Sequence, residues 1–201
     1  WIHNPIGAPE YTKQLIPLLQ SGKVKTVGVS NHNLAQIKEA DVILKSAGYR
    51  VSAVQNHFSL MNRSSVDSGI LDYCQKNDIT FYGYMVLEQG ALSGKYDEKH
   101  PMPEGTTRAA VFNPMMDKIQ IITAEMRKVA DTHGVSVAQI GIAYAIAKGI
   151  LPILGVTKMY QVEEAAKTAE IRLNDAEVSA LEAAADRAGI ESIQLWESKM
   201  E

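Results

Sequence analysis

Residues 15–32 read LIPLLQSGKVKTVGVSNH, and they join an amphipathic helix to a short apolar strand. The helical pattern covers residues 10–20, and the strand over residues 24–29 stops at Ser30 and Asn31. In parallel α/β proteins, ligands bind at the carboxyl ends of the strands. Two small hydrogen-bonding side chains at such an end therefore predict a ligand contact at Ser30 and Asn31.

The same alternation of short apolar runs and amphipathic helices continues along the chain. Predicted strands cover residues 1–3, 24–29, 51–55, 79–84 and 151–154. Predicted helices cover residues 10–20, 34–46, 65–77, 114–133 and 136–148, and a last helix follows Asn174 and Asp175. Short strands rich in β-branched residues are typical of a parallel sheet that is buried on both faces. Helices between successive strands indicate right-handed βαβ crossovers.

Two parallel architectures accommodate this order, a doubly wound sheet and an eight-stranded barrel. A doubly wound dinucleotide-binding sheet usually carries G-x-G-x-x-G after an early strand, and the sequence lacks that motif. Every predicted strand instead delivers polar or aromatic residues at its carboxyl end. These are His3 and Asn4, Ser30 and Asn31, residues 55–57, Tyr84 and residues 155–158. The pattern favours an α/β fold of the (β/α)8 TIM-barrel type, with residues 1–201 forming part of a single domain.

Composition restricts the class of protein. The 201 residues are 46% hydrophobic and 21% charged, which is enough to bury a substantial core. Neither a membrane-length apolar run nor a secretory signal is visible, so we expect a cytoplasmic protein with no membrane partner. A net charge of −3 with scattered basic residues disfavours nucleic acid as a partner. The single cysteine, Cys74, lies in a helical pattern and is expected to pack in the core.

One long stretch, residues 85–112, has no regular pattern. It contains Gly90, Gly94, Pro101, Pro103 and Gly105. A loop of this length in a compact domain is usually functional or mobile. We expect a rim loop over residues 85–112 that folds over a bound ligand.

The opening stretch resembles the signature of the aldo/keto reductase family of NADPH-dependent barrel enzymes. In that signature an aliphatic residue is followed by nine residues, a basic residue, one residue, and aliphatic-Gly-aliphatic-Ser-Asn-aromatic. The matching residues are Leu15, Lys25, Val27, Gly28, Val29, Ser30 and Asn31. His32 stands where the family usually has Phe or Tyr. The resemblance implies that Ser30 and Asn31 hydrogen-bond the nicotinamide carboxamide and that Gln55 completes this clamp.

A second block, GYMVLEQGALSGKY over residues 83–96, resembles the family's Tyr-Ser-Pro-Leu-Gly-x-Gly segment. The resemblance implies that Tyr84 stacks under the nicotinamide ring. It places Leu87 and Gly90 among the cofactor-binding residues. Met85 and Val86 replace the usual Ser-Pro.

A third block, LPILGVTKMYQVEEA over residues 151–165, resembles the loop and short helix that hold the adenosine 2′-phosphate. The residues implied at this end of the cofactor are Gly155, Thr157, Lys158, Gln161 and Glu164. A 2′-phosphate is bound by a cation, a hydroxyl and unblocked backbone N–H groups near a helix start. The sequence Gly-Val-Thr-Lys before a helix offers all three, so NADPH is expected in preference to NADH.

The opening residues WIHNP resemble the context of the family's histidine at the end of the fourth barrel strand. The resemblance implies that His3 is catalytic, because a neutral imidazole orients and polarises the substrate carbonyl. It also implies that the chain supplies strands 4–8, whereas the family's proton-donating Tyr, with its Lys and Asp, precedes Trp1. Since a closed barrel has no free edges, the missing strands are expected from residues outside this sequence or from another chain.

The expected function is therefore the NADPH-dependent reduction of an aldehyde or ketone to an alcohol. The expected partner is a small carbonyl substrate, and residues 1–201 alone are not expected to complete the reaction. One alternative is a non-catalytic NADPH-binding module of the same fold. A remote alternative is a metal-dependent hydrolase, since His3, His32 and His57 follow three successive predicted strands and imidazoles are zinc ligands.

Overall fold

The computed structural model describes residues 1–190, 192 and 200, and the chain divides into two compact units. Unit 1 contains Trp1–His57, Arg63–Tyr84 and Met200, and unit 2 contains Phe58–Asn62 and Met85–Ser192. None of the described helices is long and apolar enough to cross a membrane.

Unit 1 is built on parallel strands that helices connect. Its helices are α1 (Ala8–Gln20), α2 (Leu34–Lys45), α3 (Ser64–Asp67) and α4 (Ile70–Lys76), and its strands are β1 (Val27–Ser30), β2 (Val51–His57) and β3 (Thr80–Tyr84). Strand β2 pairs in parallel with β1 on one side and with β3 on the other. Its core includes Val29, Val54 and Phe81 from the strands and Ile37 and Leu44 from α2, all buried.

The strand predicted over residues 1–3 is reduced to one parallel bridge, between Ile2 and Val29. The amide of Ile2 donates to the Gly28 carbonyl at 2.9 Å, and the amide of Ser30 donates to the Ile2 carbonyl at 2.8 Å. The start of the chain therefore runs beside β1 without forming a regular strand.

Unit 2 is mostly helical. It contains 3-10 helices over Glu88–Ser93 and Asn113–Met115, helices α5 (Thr107–Phe112), α6 (Met116–His133), α7 (Val137–Ala147), α8 (Met159–Thr168) and α9 (Asp175–Ala188), and the short strand β4 (Leu151–Pro152). Helix α6 packs against α7 and α9, and α8 packs against α7. Buried side chains such as Ile119, Met126 and Ile140 fill this core, and Phe58 stacks on Tyr144 at 5.6 Å between ring centroids.

Three predicted helix starts are confirmed, because the residues beside each start encode it. Asn33, Ser136 and Asn174 each accept a hydrogen bond from the third helical residue, whose side chain in turn accepts from the capping amide. Such reciprocal caps satisfy two amides that the helix itself leaves unpaired.

Three predicted boundaries are wrong. The helix expected over residues 65–77 is broken at Gly69, whose φ of 76° lies in the left-handed region. The strand expected over residues 151–154 has only two residues, and Pro152 has no N–H to donate. Residues 85–112 are not irregular throughout, since they hold a 3-10 helix and α5.

Candidate functional site

The carboxyl ends of β1 and β2 bring Ser30 and Gln55 side by side. The two residues are register partners in the parallel sheet, so their side chains lie on the same face. Ser30 is 1% exposed, and its Oγ has no hydrogen-bond partner among the described residues. A buried hydroxyl without a partner costs free energy unless a ligand or water satisfies it. Gln55 is half-buried beside it.

Asn31 connects this strand end to two other segments of unit 1. Its Nδ2 donates to the His3 carbonyl at 3.0 Å, and its Oδ1 accepts from the Tyr84 hydroxyl at 2.6 Å. Its φ is 61°, a left-handed conformation that asparagine tolerates better than most residues. The structure thus brings His3, Ser30, Asn31, Gln55 and Tyr84 to one end of the strands.

Tyr84 and His3 differ in their exposure. The Tyr84 ring is half-buried and stacks on His57, with 5.5 Å between centroids and 21° between planes. The His3 residue is exposed, and its backbone carbonyl is the atom that Asn31 holds.

The residues at this end fit a primary carboxamide. Such a group both donates and accepts, so it suits the unpartnered Ser30 hydroxyl and the neighbouring amide of Gln55. Asn31 keeps one N–H and one oxygen lone pair beyond the bonds described above.

In the sequence, His32 stands where the family signature usually has an aromatic Phe or Tyr. In the structure, it contacts the backbone of Ser30. It is fully buried, and its Nδ1 lies 2.7 Å from the Ser30 carbonyl. Because a carbonyl can only accept, Nδ1 carries the proton, and Nε2 has no partner among the described residues. Burial lowers the pKa of His32, and the bond to Ser30 opposes this in part. His32 is thus held neutral against the backbone of Ser30.

In unit 2, Leu87 and Gly90 flank a strained turn. Met85, Glu88 and Gln89 have φ values of 61°, 47° and 52°. Non-glycine residues in this region cost on the order of 1 kcal/mol each and persist only where their surroundings hold them. Such strain is concentrated at ligand-binding and active sites.

The turn packs closely on α7. A Cβ on Gly141 would lie 2.9 Å from Cδ2 of Leu87, so a larger residue there would displace the end of the Leu87 side chain. The side chain of Leu87 is half-buried by the contact.

The loop before α8 corrects one expectation. Gly155, Thr157 and Lys158 are exposed, as a ligand-binding loop requires. The amides of Thr157 and Lys158 are not unblocked, however, because they donate to Oε1 of Gln161 at 2.7 Å and 2.9 Å. Gln161 reaches back over the helix start and satisfies donors that the helix leaves unpaired.

Glu164 lies one turn further along α8 than Gln161. It is half-buried, and its carbonyl accepts from Nε2 of Gln139 at 3.0 Å. The structure therefore joins Thr157, Lys158 and Gln161 in one hydrogen-bonded loop and does not join Glu164 to that loop.

The histidines give no sign of a metal centre. Within residues 1–190, 192 and 200, no group of three or more His, Cys, Asp or Glu side chains is arranged to hold a metal ion. Cys74 is buried, which raises the pKa of its thiol to about 12. A thiol with that pKa is not an effective nucleophile at neutral pH.

Comparisons with known proteins agree on one family. A model of the aldo/keto reductase family matches residues 3–186. The chain is 29% identical over 180 residues to the NADP(+) aldo-keto reductase yakc of Schizosaccharomyces pombe, covering 86% of this chain and 51% of that protein. It is 28% identical over 150 residues to the chloroplastic pyridoxal reductase of Arabidopsis thaliana, covering 75% and 40%. The chain thus spans about half the length of the curated relatives it matches.

Solved structures show the same fold. A glycerol dehydrogenase from Gluconobacter oxydans has a TM-score of 0.79 at 23% identity, covering 94% of this chain and 57% of that chain. The aldo-keto reductase MGS-M4 from a deep-sea metagenome has a TM-score of 0.69 at 18% identity, covering 98% and 61%. The α/β fold of this chain matches these TIM-barrel structures over about half of their length. With the family match over residues 3–186, the chain belongs to the aldo/keto reductase family.

Proposed function

We propose that this chain is the cofactor-binding part of an NADPH-dependent reductase of aldehydes or ketones, supplying strands 4–8 of its barrel. The observation that carries the proposal is the buried hydroxyl of Ser30, which has no partner in the described part of the chain, next to Gln55 near the carboxyl ends of two parallel strands. The relative from Schizosaccharomyces pombe has NADP(+) in its name, in agreement with a family whose members typically use NADP(H).

At the nicotinamide end, unit 1 supplies the contacts. NADPH, when bound, supplies the hydride for the carbonyl carbon. Ser30 and Gln55 bind the carboxamide and so orient the ring, while Asn31 offers its remaining N–H and lone pair. Tyr84 provides a flat aromatic surface for the ring, and its hydroxyl holds Asn31 in place.

His3 orients the substrate in this proposal. Its carbonyl is fixed by Asn31, so the exposed imidazole stands at the same strand end as the clamp. A neutral imidazole donates a hydrogen bond to the carbonyl oxygen and stabilises the charge that develops there. The acid that supplies the proton is expected outside these 201 residues.

At the phosphate end, unit 2 supplies Lys158 and Thr157, with Gly155 keeping the backbone accessible. A phosphate oxygen there replaces Gln161 Oε1 as the acceptor of the two amides. The positive charge of Lys158 is then the main source of selectivity for NADPH over NADH.

The test compares two charge reversals on or beside the same helix. Lys158→Glu places a carboxylate where the 2′-phosphate is proposed, whereas Lys167→Glu makes the same change in the last turn of α8. We expect Lys158→Glu to weaken NADPH binding by tenfold or more, roughly the effect of reversing one close ion pair, and NADH binding by less than about twofold. Lys167→Glu should leave both affinities within about twofold.

The readout is the titration of nucleotide fluorescence with purified protein. Equal losses for NADPH and NADH in Lys158→Glu would refute the phosphate assignment. Wild-type protein that binds neither nucleotide would refute the proposed function as a whole.

A further inference from the structure

A buried carboxylate lies in the middle of the strained turn of unit 2. Glu88 is 0% exposed, and its two oxygens have different serine partners. Ser59 Oγ donates to Oε1 at 2.5 Å, and Ser192 Oγ donates to Oε2 at 3.0 Å. Buried carboxylates are costly unless hydrogen bonds compensate for the lost water, and these two hydroxyls do so.

The geometry commits the Ser59 proton to Glu88. Ser59 Oγ already accepts from the amides of Met61 at 2.9 Å and Asn62 at 3.1 Å. With both lone pairs occupied, the hydroxyl can only donate to the carboxylate. Hydrogen bonds within its own turn therefore fix the Ser59 hydroxyl as a donor to Glu88.

The backbone of Ser192 is also fixed by hydrogen bonds. Its amide donates to the Met61 carbonyl at 2.9 Å, and its carbonyl accepts from Nδ2 of Asn62 at 2.6 Å. The point where the chain continues beyond α9 is thus fixed by its backbone and by Glu88.

Glu88 also lies where the backbone conformation is strained. Its φ is 47°, that of Gln89 is 52°, and Gly90 follows at 97°. Gln89 is exposed and Met85 is half-buried, whereas Glu88 is fully buried. The Glu88 side chain is therefore a buried polar anchor of this turn, and it lies between Leu87 and Gly90.

We propose that Glu88 is a positioning residue that couples the cofactor-binding turn to the segment after α9. Through Ser59 it holds the left-handed turn Glu88–Gly90, which directly follows Leu87, and through Ser192 it ties that turn to the chain after α9. The coupling rests on the proposed function, because it takes Leu87 and Gly90 as cofactor contacts. By linkage, nucleotide binding at the turn then stabilises the region of Ser192, and loosening Ser192 weakens nucleotide binding.

Four variants separate positioning from general stability. Glu88→Ala removes both anchors, and Ser192→Ala removes one. Glu88→Gln keeps an oxygen for Ser59 and presents an N–H that the Ser192 hydroxyl can accept. Ile119→Ala opens a cavity in α6 of the same unit, so it lowers the melting temperature without removing either serine bond to Glu88.

We expect Glu88→Ala to weaken NADPH and NADH binding equally, by about tenfold, the effect of losing a buried hydrogen-bond anchor. Glu88→Gln should stay within about threefold of wild type, and Ile119→Ala should bind as wild type does. The two variants Glu88→Ala and Ile119→Ala are compared at an equal loss of melting temperature. If Glu88→Ala then binds NADPH as tightly as Ile119→Ala does, Glu88 does not position the turn.

Amide hydrogen exchange without nucleotide tests Glu88 separately from the proposed function. Glu88→Ala should speed exchange both in residues 85–93 and around Ser192, whereas Ile119→Ala should not do so selectively. Exchange at wild-type rates in residues 85–93 of Glu88→Ala would overturn the inference, even if the protein binds NADPH. Faster exchange in a protein that binds no nucleotide would support the role of Glu88 in the turn and refute only the proposed function.

Discussion

The hydroxyl of Tyr84 donates to Oδ1 of Asn31 at 2.6 Å, joining residues that are 53 positions apart in the sequence. With the bond from Asn31 Nδ2 to the His3 carbonyl, it fixes the plane of the Asn31 amide at both ends. A binding group whose orientation is set before the ligand arrives loses less entropy on binding. Tyr84 therefore serves the candidate site through its hydroxyl as well as through its ring.

Tyr84→Phe isolates the contribution of that hydroxyl. The ring remains for stacking, but Asn31 loses one of its two anchors, so NADPH and NADH affinities should both fall by about threefold to tenfold. Tyr82→Phe on the same strand is the matched control, since its ring packs edge-on against Trp1. Fluorescence titration measures both variants, and unchanged affinity in Tyr84→Phe would show that the bond to Asn31 does not orient the clamp.

His32 makes the stability of the protein depend on pH. Burial lowers its pKa in the folded state, so the unfolded chain takes up a proton first as the pH falls below 6.5. The free energy of unfolding should therefore decrease as the pH falls from 6.5 towards the folded-state pKa. His32→Phe, which carries the aromatic residue usual in the family, should lose this part of the pH dependence. Urea unfolding between pH 5 and pH 8 gives the comparison, and parallel profiles for the two proteins would contradict the assignment.

Glu177 is expected to act in the same direction as His32, but at lower pH. The bond from the Asn174 amide lowers its pKa most, and His133, whose Nε2 lies 2.8 Å from Oε1, lowers it further. The stabilisation is thus present above pH 4.5 and is lost as the pH falls through the lowered pKa. Glu177→Gln should be less stable by about 0.5 kcal/mol at pH 7, and the difference should vanish in acid. Urea unfolding at pH 7 and pH 3 checks this, with exposed Glu170→Gln as the control.

Gly28 and Trp1 should show strong coupling in a double-mutant cycle. A Cβ on Gly28 would lie 2.5 Å from the Trp1 ring, so Gly28→Ala should cost about 1–3 kcal/mol. In the Trp1→Ala background the same change should be neutral or stabilising, because the clash is gone and alanine restricts the unfolded chain. Urea unfolding of the four proteins measures the cycle, and equal costs in both backgrounds would rule out the contact.

The parts of the fold that neighbouring residues encode were predictable from the sequence. Asn33, Ser136 and Asn174 cap their helices through residues three positions away, so each start is visible locally. The end of β1 at Ser30 was also visible, because polar residues stop an apolar run, whereas β2 continues two residues beyond the predicted end at Gln55. The pairing of Ser30 with Gln55 in register was not predictable, because the parallel order does not determine the register, which shifts between Val27 and Gly28.

Other features depend on contacts between distant residues, and no local pattern signals them. Glu88 looks like a surface residue in a loop, whereas in the structure it is buried and bonded to Ser59 and Ser192. Gln161 looked like a ligand contact, whereas its side chain first closes its own helix start. His32 could be flagged only as a departure from a motif, since its contact with the Ser30 carbonyl requires the turn at Asn31.

The two hydrogen bonds that Gln161 accepts have a consequence for how salt acts on cofactor choice. Because Gln161 Oε1 already satisfies the amides of Thr157 and Lys158, a phosphate bound there exchanges one acceptor for another and gains little from those donors. In the proposed function, the preference for the 2′-phosphate then depends mainly on the field of an exposed lysine. Salt screens such a field over about 10 Å at 0.1 M ionic strength. Discrimination between the two nicotinamide cofactors should therefore narrow as the ionic strength of the solution rises.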